Sequence, residues 1–173
     1  GFGPGSWGSS PYAPAIKIMK DQLKIFTGRS NPTLSKDIAN YLGKDLGKLT
    51  IKTFSDGELW LQFEENIRGC DVFVIQPTNS PAENIMELIL IIDAAVRASA
   101  KTVTAVIPYL GYGRQDRKDN PRVPRSSRVM VDLITATGAD RIITMDLHST
   151  QIQGFATIPF DHLYSRMVLL DAI

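Results

Sequence analysis

The stretch KTVTAVIPYLGYGRQDRKDNPRVPRSSRVMVDLITATGADRIITMDLHS, residues 101–149, decides the fold. Thr102 to Ile107 is short, apolar and rich in β-branched residues, the pattern of a buried strand. A polar loop of about eighteen residues follows, from Tyr109 to about Ser126, and loops of that length are commonly functional. Val129, Met130, Leu133 and Ile134 then recur at helical spacing, and Gly138 supplies the stop. Arg141 to Met145 reads as the next buried strand, ending in Asp146-Leu147-His148. Short buried strands separated by a helix imply an α/β domain with a mainly parallel sheet flanked by helices.

The same alternation extends toward the amino terminus. Lys24 to Thr27 reads as a short strand. Asn31-Pro32 offers an N-cap and a first-turn proline to a helix carrying Leu34, Ile38, Ala39 and Leu42, stopped by Gly43. Leu49 to Phe54 and Leu59 to Phe63 read as strands joined at Ser55-Asp56-Gly57-Glu58, where Asp-Gly accepts positive φ. Asp71 to Gln76 is another buried strand. Ser80-Pro81-Ala82-Glu83 has the form of a capping box opening a helix to about Ser99. That helix is apolar on most of its faces, so it is either deeply buried or part of a subunit interface.

Composition excludes several classes. Hydrophobic residues make up 43% and charged residues 21%, an ordinary globular balance with a net charge of +1. The charge is unevenly placed: Arg114 to Arg128 holds six basic and two acidic residues, so this loop carries +4 and the rest of the chain −3. A cationic loop on a mildly acidic body suggests a local anion site. The single cysteine, Cys70, forms no internal disulfide, no Cys/His cluster has zinc spacing, and a cytosolic origin is the default. The longest apolar run, Ile85 to Val96, is broken by Glu87 and Asp93 and is too short to span a membrane. Gly1 to Pro14, rich in Gly, Ser and Pro, reads as a disordered leader or an expression scar, leaving residues 15–173 as one domain.

Three polar motifs carry the chemistry. Arg114-Gln115-Asp116, with Arg117, Lys118 and Asp119, offers guanidinium forks suited to phosphate oxygens, an amide for a base or ribose edge, and carboxylates that orient the arginines or meet a metal through water. The plainer alternative is a solvated charged loop. Asp146-Leu147-His148 places an imidazole just past a buried strand, where it can bind a metal, pair with phosphate, move a proton, or simply cap backbone. Phe54-Ser55-Asp56-Gly57-Glu58 is a hairpin turn whose aromatic ring and two carboxylates can also meet an adenine and its amine. No Walker A sequence and no GxGxxG occurs. Because ligands bind beyond the carboxyl ends of parallel strands, the Arg114 and His148 loops are expected on one face.

Together and in this order, the three segments resemble the ribose-phosphate pyrophosphokinase (PRPP synthetase) family, over about Lys24 to the end of the chain. The resemblance implies a phosphoribosyltransferase-like fold and transfer of the diphosphoryl group of Mg-ATP to the 1-hydroxyl of ribose 5-phosphate. It implies ATP contacts from Arg114, Gln115, Asp116 and Asp119, and a metal–phosphate role for His148, with Asp146 and Asp161 as further candidate ligands of Mg2+. Phe54, Asp56, Gly57 and Glu58 would hold adenine across a dimer interface, with dimers building a hexamer. Arg122, Gln153 and Asp161 fall at positions linked to regulatory phosphate or ADP.

This sequence departs from the family pattern at Ala156, at the more basic Pro124-Arg125-Ser126-Ser127-Arg128, and at Thr150 and His162. The family's ribose-phosphate cradle has no counterpart in these 173 residues, so the chain as given is expected to make no PRPP alone. A non-catalytic regulatory relative is the second reading. A nucleic-acid module using the +4 loop is the third, disfavoured because no aromatics interleave its basic residues.

Overall fold

The computed structural model describes residues 23–170; the segment Gly1 to Pro14 lies outside them. In chain order the elements are β1 (Leu23–Thr27), α1 (Pro32–Tyr41), β2 (Leu49–Thr53), β3 (Leu59–Phe63), β4 (Asp71–Ile75), α2 (Glu83–Arg97), β5 (Thr102–Ile107), α3 (Ser126–Thr137), β6 (Arg141–Met145), β7 (Phe160–Leu163) and α4 (Arg166–Leu170). A 3-10 turn at Thr150–Phe155 separates β6 from β7.

Five strands form one sheet in the order β1-β4-β5-β6-β7, and every neighbouring pair is parallel. β2 and β3 form a separate antiparallel hairpin, Leu49 opposite Phe63 and Thr53 opposite Leu59. Each parallel step needs a crossover, supplied in turn by α1 with the hairpin, α2, α3 and the 3-10 turn. The larger core lies on one face, where Val72, Val74, Val103, Ala105 and Ile142 meet Leu88, Ile91, Ile92 and Ala95 of α2 and Val131 and Ile134 of α3. α1 closes a smaller cluster containing Ile25, Ile75 and Ala39. The sheet is therefore mainly parallel and flanked by helices, as the alternation of strand and helix patterns implies.

Local chemistry explains most boundaries. Asn31 caps α1 by accepting from the Leu34 N–H at 3.1 Å, with Pro32 in the first turn. Gly138 ends α3 at φ 108°, a conformation that favours glycine. The hairpin turn is one residue longer than its sequence suggests, since Phe54 leaves the strand and its N–H donates to the Glu58 carbonyl at 2.8 Å.

The capping box at Ser80 does not form. Ala82 is the N-cap of α2 without a side-chain bond, and the helix runs over Glu83–Arg97 rather than to Ser99. The turn before it supplies the missing partners: the Asn84 and Ile85 N–H groups donate to the Pro81 and Ala82 carbonyls, and Asn84 Nδ2 reaches Asn79 O at 2.9 Å. Nor is α2 buried all round, because Met86 and Val96 are exposed.

One buried carboxylate ties three elements together. Glu87 of α2 is 2% exposed, and it accepts from Arg29 N, from Arg29 Nε at 2.6 Å and from Gln76 Nε2 at 3.1 Å. Gln76, past the end of β4, also accepts from Ser30 N and Oγ, and Arg29 Nη1 continues to Thr53 Oγ1 at 3.1 Å. Removing the carboxylate orphans donors on two elements. Glu87→Ala is expected to cost about 2–3 kcal/mol, with Glu87→Gln costing less because it keeps an acceptor. Urea denaturation checks this, and a loss under about 0.5 kcal/mol, the level of an ordinary surface change, would contradict it.

Candidate functional site

All five parallel strands point their carboxyl ends to one side of the sheet. There, beyond β5 and β6, lies a cleft of about 330 Å3 lined by Tyr109, Leu110, Tyr112, Gly113, Arg114, Gln115, Asp146, Leu147 and His148. The β5–β6 register, with Ile107 opposite Thr144, sets the two loops side by side. The structure thus brings Arg114, Gln115, Asp146 and His148 together on one face.

The first wall is built from the loop after β5. Thr78, beyond β4, holds its start: the Thr78 N–H donates to Tyr109 O at 2.9 Å, and Gly111 N donates to Thr78 Oγ1 at 2.9 Å. This approach requires glycine, since a Cβ at position 111 would stand 2.1 Å from the Thr78 carbonyl oxygen. Farther along, Gln115 is fixed from α3. Its carbonyl accepts from Ser127 Oγ at 3.0 Å, and its side-chain oxygen accepts from Ser126 Oγ. Arg114 is exposed in the cleft, and no ion pair or hydrogen bond holds its guanidinium among the described residues. It stands there as a cation without a protein counterion.

The second wall follows β6. Asp146 turns the chain at φ 45°, its N–H donating to Leu163 O at 2.9 Å. The Ser165 side chain, and then the Ser165 backbone N–H at 3.1 Å, hold the Asp146 carboxyl below the usual carboxylate range. His162 of β7 accepts from the Leu147 N–H through Nε2 at 2.9 Å, fixing the residue that precedes His148. His148 itself is exposed to the cleft.

Other expected residues lie elsewhere. Asp116 lines a neighbouring groove with Arg117, Lys118, Arg125, Gln151 and Phe155, and accepts a hydrogen bond from Gln151. Asp119 pairs with Arg117 at 3.3 Å. Asp161 is taken by Arg141 at 2.6 Å on the edge strand β7. Gln153 donates to Thr150 O at 3.1 Å, and Arg122 is an exposed turn residue at φ 65°. Arg122, Gln153 and Asp161 line neither the cleft nor the groove beside it. Phe54 is exposed at the hairpin tip, while Gly57 and Glu58 line a separate groove with Glu83, Met86 and Leu90 of α2. Tyr109 and Tyr112 also line the cleft; Tyr112 lies inside the Gly111-to-Asp119 motif but the sequence assigned neither ring a role, and their signal was position, next to the glycines of a long loop beyond a strand.

Among the described residues no cluster of three or more His, Cys, Asp or Glu is placed to hold a metal ion. The cleft does offer one carboxylate, Asp146, and one imidazole, His148. Magnesium commonly takes one or two protein ligands and completes its shell with water and substrate phosphates. This donor set fits an ion delivered on a polyphosphate.

The Asp146 environment gives a direct check. Removing the Ser165 hydroxyl in Ser165→Ala should move the Asp146 titration to higher pH in carboxyl-resolved NMR. The sign follows from the depressed folded value: the stabilisation from this contact is present at neutral pH and is lost as pH falls through that value. An unmoved Asp146 titration would contradict it.

Comparison with known proteins adds relatives to this geometry. The family described as "N-terminal domain of ribose phosphate pyrophosphokinase" matches residues 23–138. A ribose-phosphate pyrophosphokinase of Chlorobaculum tepidum is 57% identical over 155 residues, covering 90% of this chain and 48% of that protein. Ribose-phosphate pyrophosphokinase 1, chloroplastic, of Oryza sativa is 48% identical, over 95% of this chain and 46% of its own length. The crystal structure of phosphoribosylpyrophosphate synthetase from Mycobacterium smegmatis superposes with a TM-score of 0.84 at 41% identity, covering 87% of this chain and 51% of that one. The chain spans about half the length of the relatives it matches.

Proposed function

The chain belongs to the ribose-phosphate pyrophosphokinase family, and on that premise we propose that it is the ATP-binding half of a ribose-phosphate diphosphokinase. The reaction moves the diphosphoryl group of Mg-ATP to the 1-hydroxyl of ribose 5-phosphate. The single observation that carries this reading is that Arg114, unpaired among the described residues, lines one cleft with His148 and Asp146.

Diphosphoryl transfer asks a protein mainly for positioning and for charge placed against phosphate oxygens. Arg114 supplies a forked cation with no carboxylate among the described residues to compete for it. His148 and Asp146 would hold magnesium, which when bound neutralises phosphate charge. Asp146 is suited to this by its retained negative charge at neutral pH. Gln115 and the two tyrosines suit the nucleoside end, by amide hydrogen bonding and by ring contact. Asp161 is left out of the proposed metal set because Arg141 already occupies its carboxylate. Asp119, paired with Arg117 on the loop's exposed side, is left out of the proposed nucleotide contacts.

The hairpin reading takes a second copy. Phe54 lies outside the cleft of its own chain, which agrees with a role on a neighbour's adenine. The groove between the hairpin and α2, with exposed Met86 and half-buried Leu90, is the surface proposed for the two-fold contact, with dimers assembling further to hexamers. No helix of the described residues is long and apolar enough to cross a membrane. A buried unpaired Cys70 suits a reducing compartment, the cytosol by default or a plastid as in the relatives named chloroplastic.

Calorimetric titration of ATP, with and without magnesium, tests the cleft. Arg114→Ala should weaken binding by about 1.5–3 kcal/mol, roughly tenfold to over a hundredfold, and Arg114→Lys should recover part of it. His148→Ala should instead weaken the dependence of binding on magnesium. If Arg114→Ala binds ATP like the parent, the cleft is not the phosphate site.

Light scattering at high protein concentration tests the contact. A dimer that Met86→Glu converts to monomer is the expected result, and a monomeric parent would count against the interface.

A further inference from the structure

Asp116 stands two residues from Arg114, yet its carboxylate turns away from the cleft and accepts from the Gln151 side chain, 35 residues on in the 3-10 turn. The same turn carries Phe155, whose ring lies under two guanidinium groups, Arg125 and Arg128, each 5.8 Å from its centroid. These arginines sit at the far end of the loop, where α3 begins. The turn is itself anchored, because Ile152 is fully buried in the main core. So one fixed turn grips the long cationic loop at both of its ends.

Just before the first grip, the backbone beside Arg114 is also fixed. Gly113 is buried, close enough that an added methyl would lie 3.6 Å from His148 Cβ and 3.7 Å from Ile152 Cδ1. Gln115 is held by Ser126 and Ser127. Between these two fixed neighbours, the Arg114 side chain carries no hydrogen bond or ion pair among the described residues. Hydrogen bonds from Gln151 and then Ser149 keep the Asp116 carboxyl below the usual range, so it is an ionised acceptor at neutral pH.

We infer that the Gln151–Asp116 hydrogen bond is a pin that sets the position of Arg114, which makes Gln151 and Asp116 positioning residues for the nucleotide rather than groups that touch it. The inference rests on the reading of the cleft as a nucleotide site. Holding the backbone that carries Arg114 in place before ATP arrives removes part of the ordering cost from binding. The Phe155 contacts add a second restraint through cation–π attraction, for which these distances are within range.

The pattern of substitutions separates a pin from a contact. Gln151→Ala removes the donor, and Gln151→Glu sets two carboxylates against each other; each should weaken ATP binding about tenfold, the scale of one charge-assisted hydrogen bond. Asp116→Asn keeps an accepting oxygen and should stay within about threefold of the parent. The exchange Asp116→Asn with Gln151→Glu reverses donor and acceptor and should restore most of what Gln151→Glu loses. Amide hydrogen exchange at Gly113 to Arg117, measured without nucleotide, should rise in Gln151→Glu and fall back in the exchanged pair.

A damaging Asp116→Asn with a silent Gln151→Ala would overturn the inference, since Asp116 would then act on the ligand directly. Unchanged exchange in Gln151→Glu would remove the pin while leaving the nucleotide reading intact. An Arg114→Ala that binds ATP like the parent removes that reading, and this inference with it.

Discussion

The parallel pairing of β5 with β6 is the constraint on which the rest depends. Thr104 to Ile107 lie against Arg141 to Thr144, and parallel pairing sends both chains out of the sheet on the same side. A loop rich in arginine and a loop ending in histidine, about thirty residues apart in sequence, are therefore forced into one cleft. An antiparallel pairing would have put them at opposite ends of the sheet. Everything else in the fold protects this register: α2 and α3 bury one face, and Val103, Ala105, Ile107 and Ile142 between them are almost wholly excluded from water.

Charge is then arranged by subtraction. The loop from Arg114 to Arg128 is strongly basic, but several of its cations are engaged within the chain. Arg117 meets Asp119, Arg128 meets Asp132, and Arg125 and Arg128 cover Phe155. Exposed pairs of this kind contribute little to stability. Their consequence is selective, because they engage Arg117, Arg125 and Arg128 and leave Arg114 without an internal partner among the described residues. The acids follow the same logic: Asp116 is taken by Gln151 and Asp161 by Arg141, so Asp146 is the carboxylate left lining the cleft.

The elements with strong apolar patterns were legible in the sequence. Strands such as Thr102–Ile107 and Asp71–Ile75 leave no residue exposed, so their composition alone betrays them. β7 was not legible, because Phe160-Asp161-His162-Leu163 is a short edge strand with polar residues at its centre, and only its pairing with β6 makes it a strand. The capping box failed because Ser80 belongs to a turn that meets the helix with backbone carbonyls instead. At the site, residue types revealed which groups can bind a polyphosphate, but not which are already occupied. Asp116 looked equivalent to its neighbours until Gln151 came beside it, a contact that no local pattern encodes.

The proposed function stands on a polyphosphate bound between Arg114 and the His148 loop. A crystal structure of this chain with magnesium and a non-hydrolysable ATP analogue tests it most directly. Phosphate oxygens are expected within hydrogen-bond distance of the Arg114 guanidinium, with the metal on the Asp146–His148 side of the cleft. Phosphates lodged in the groove of Arg117, Lys118 and Arg125, with Arg114 left in solvent, would contradict it.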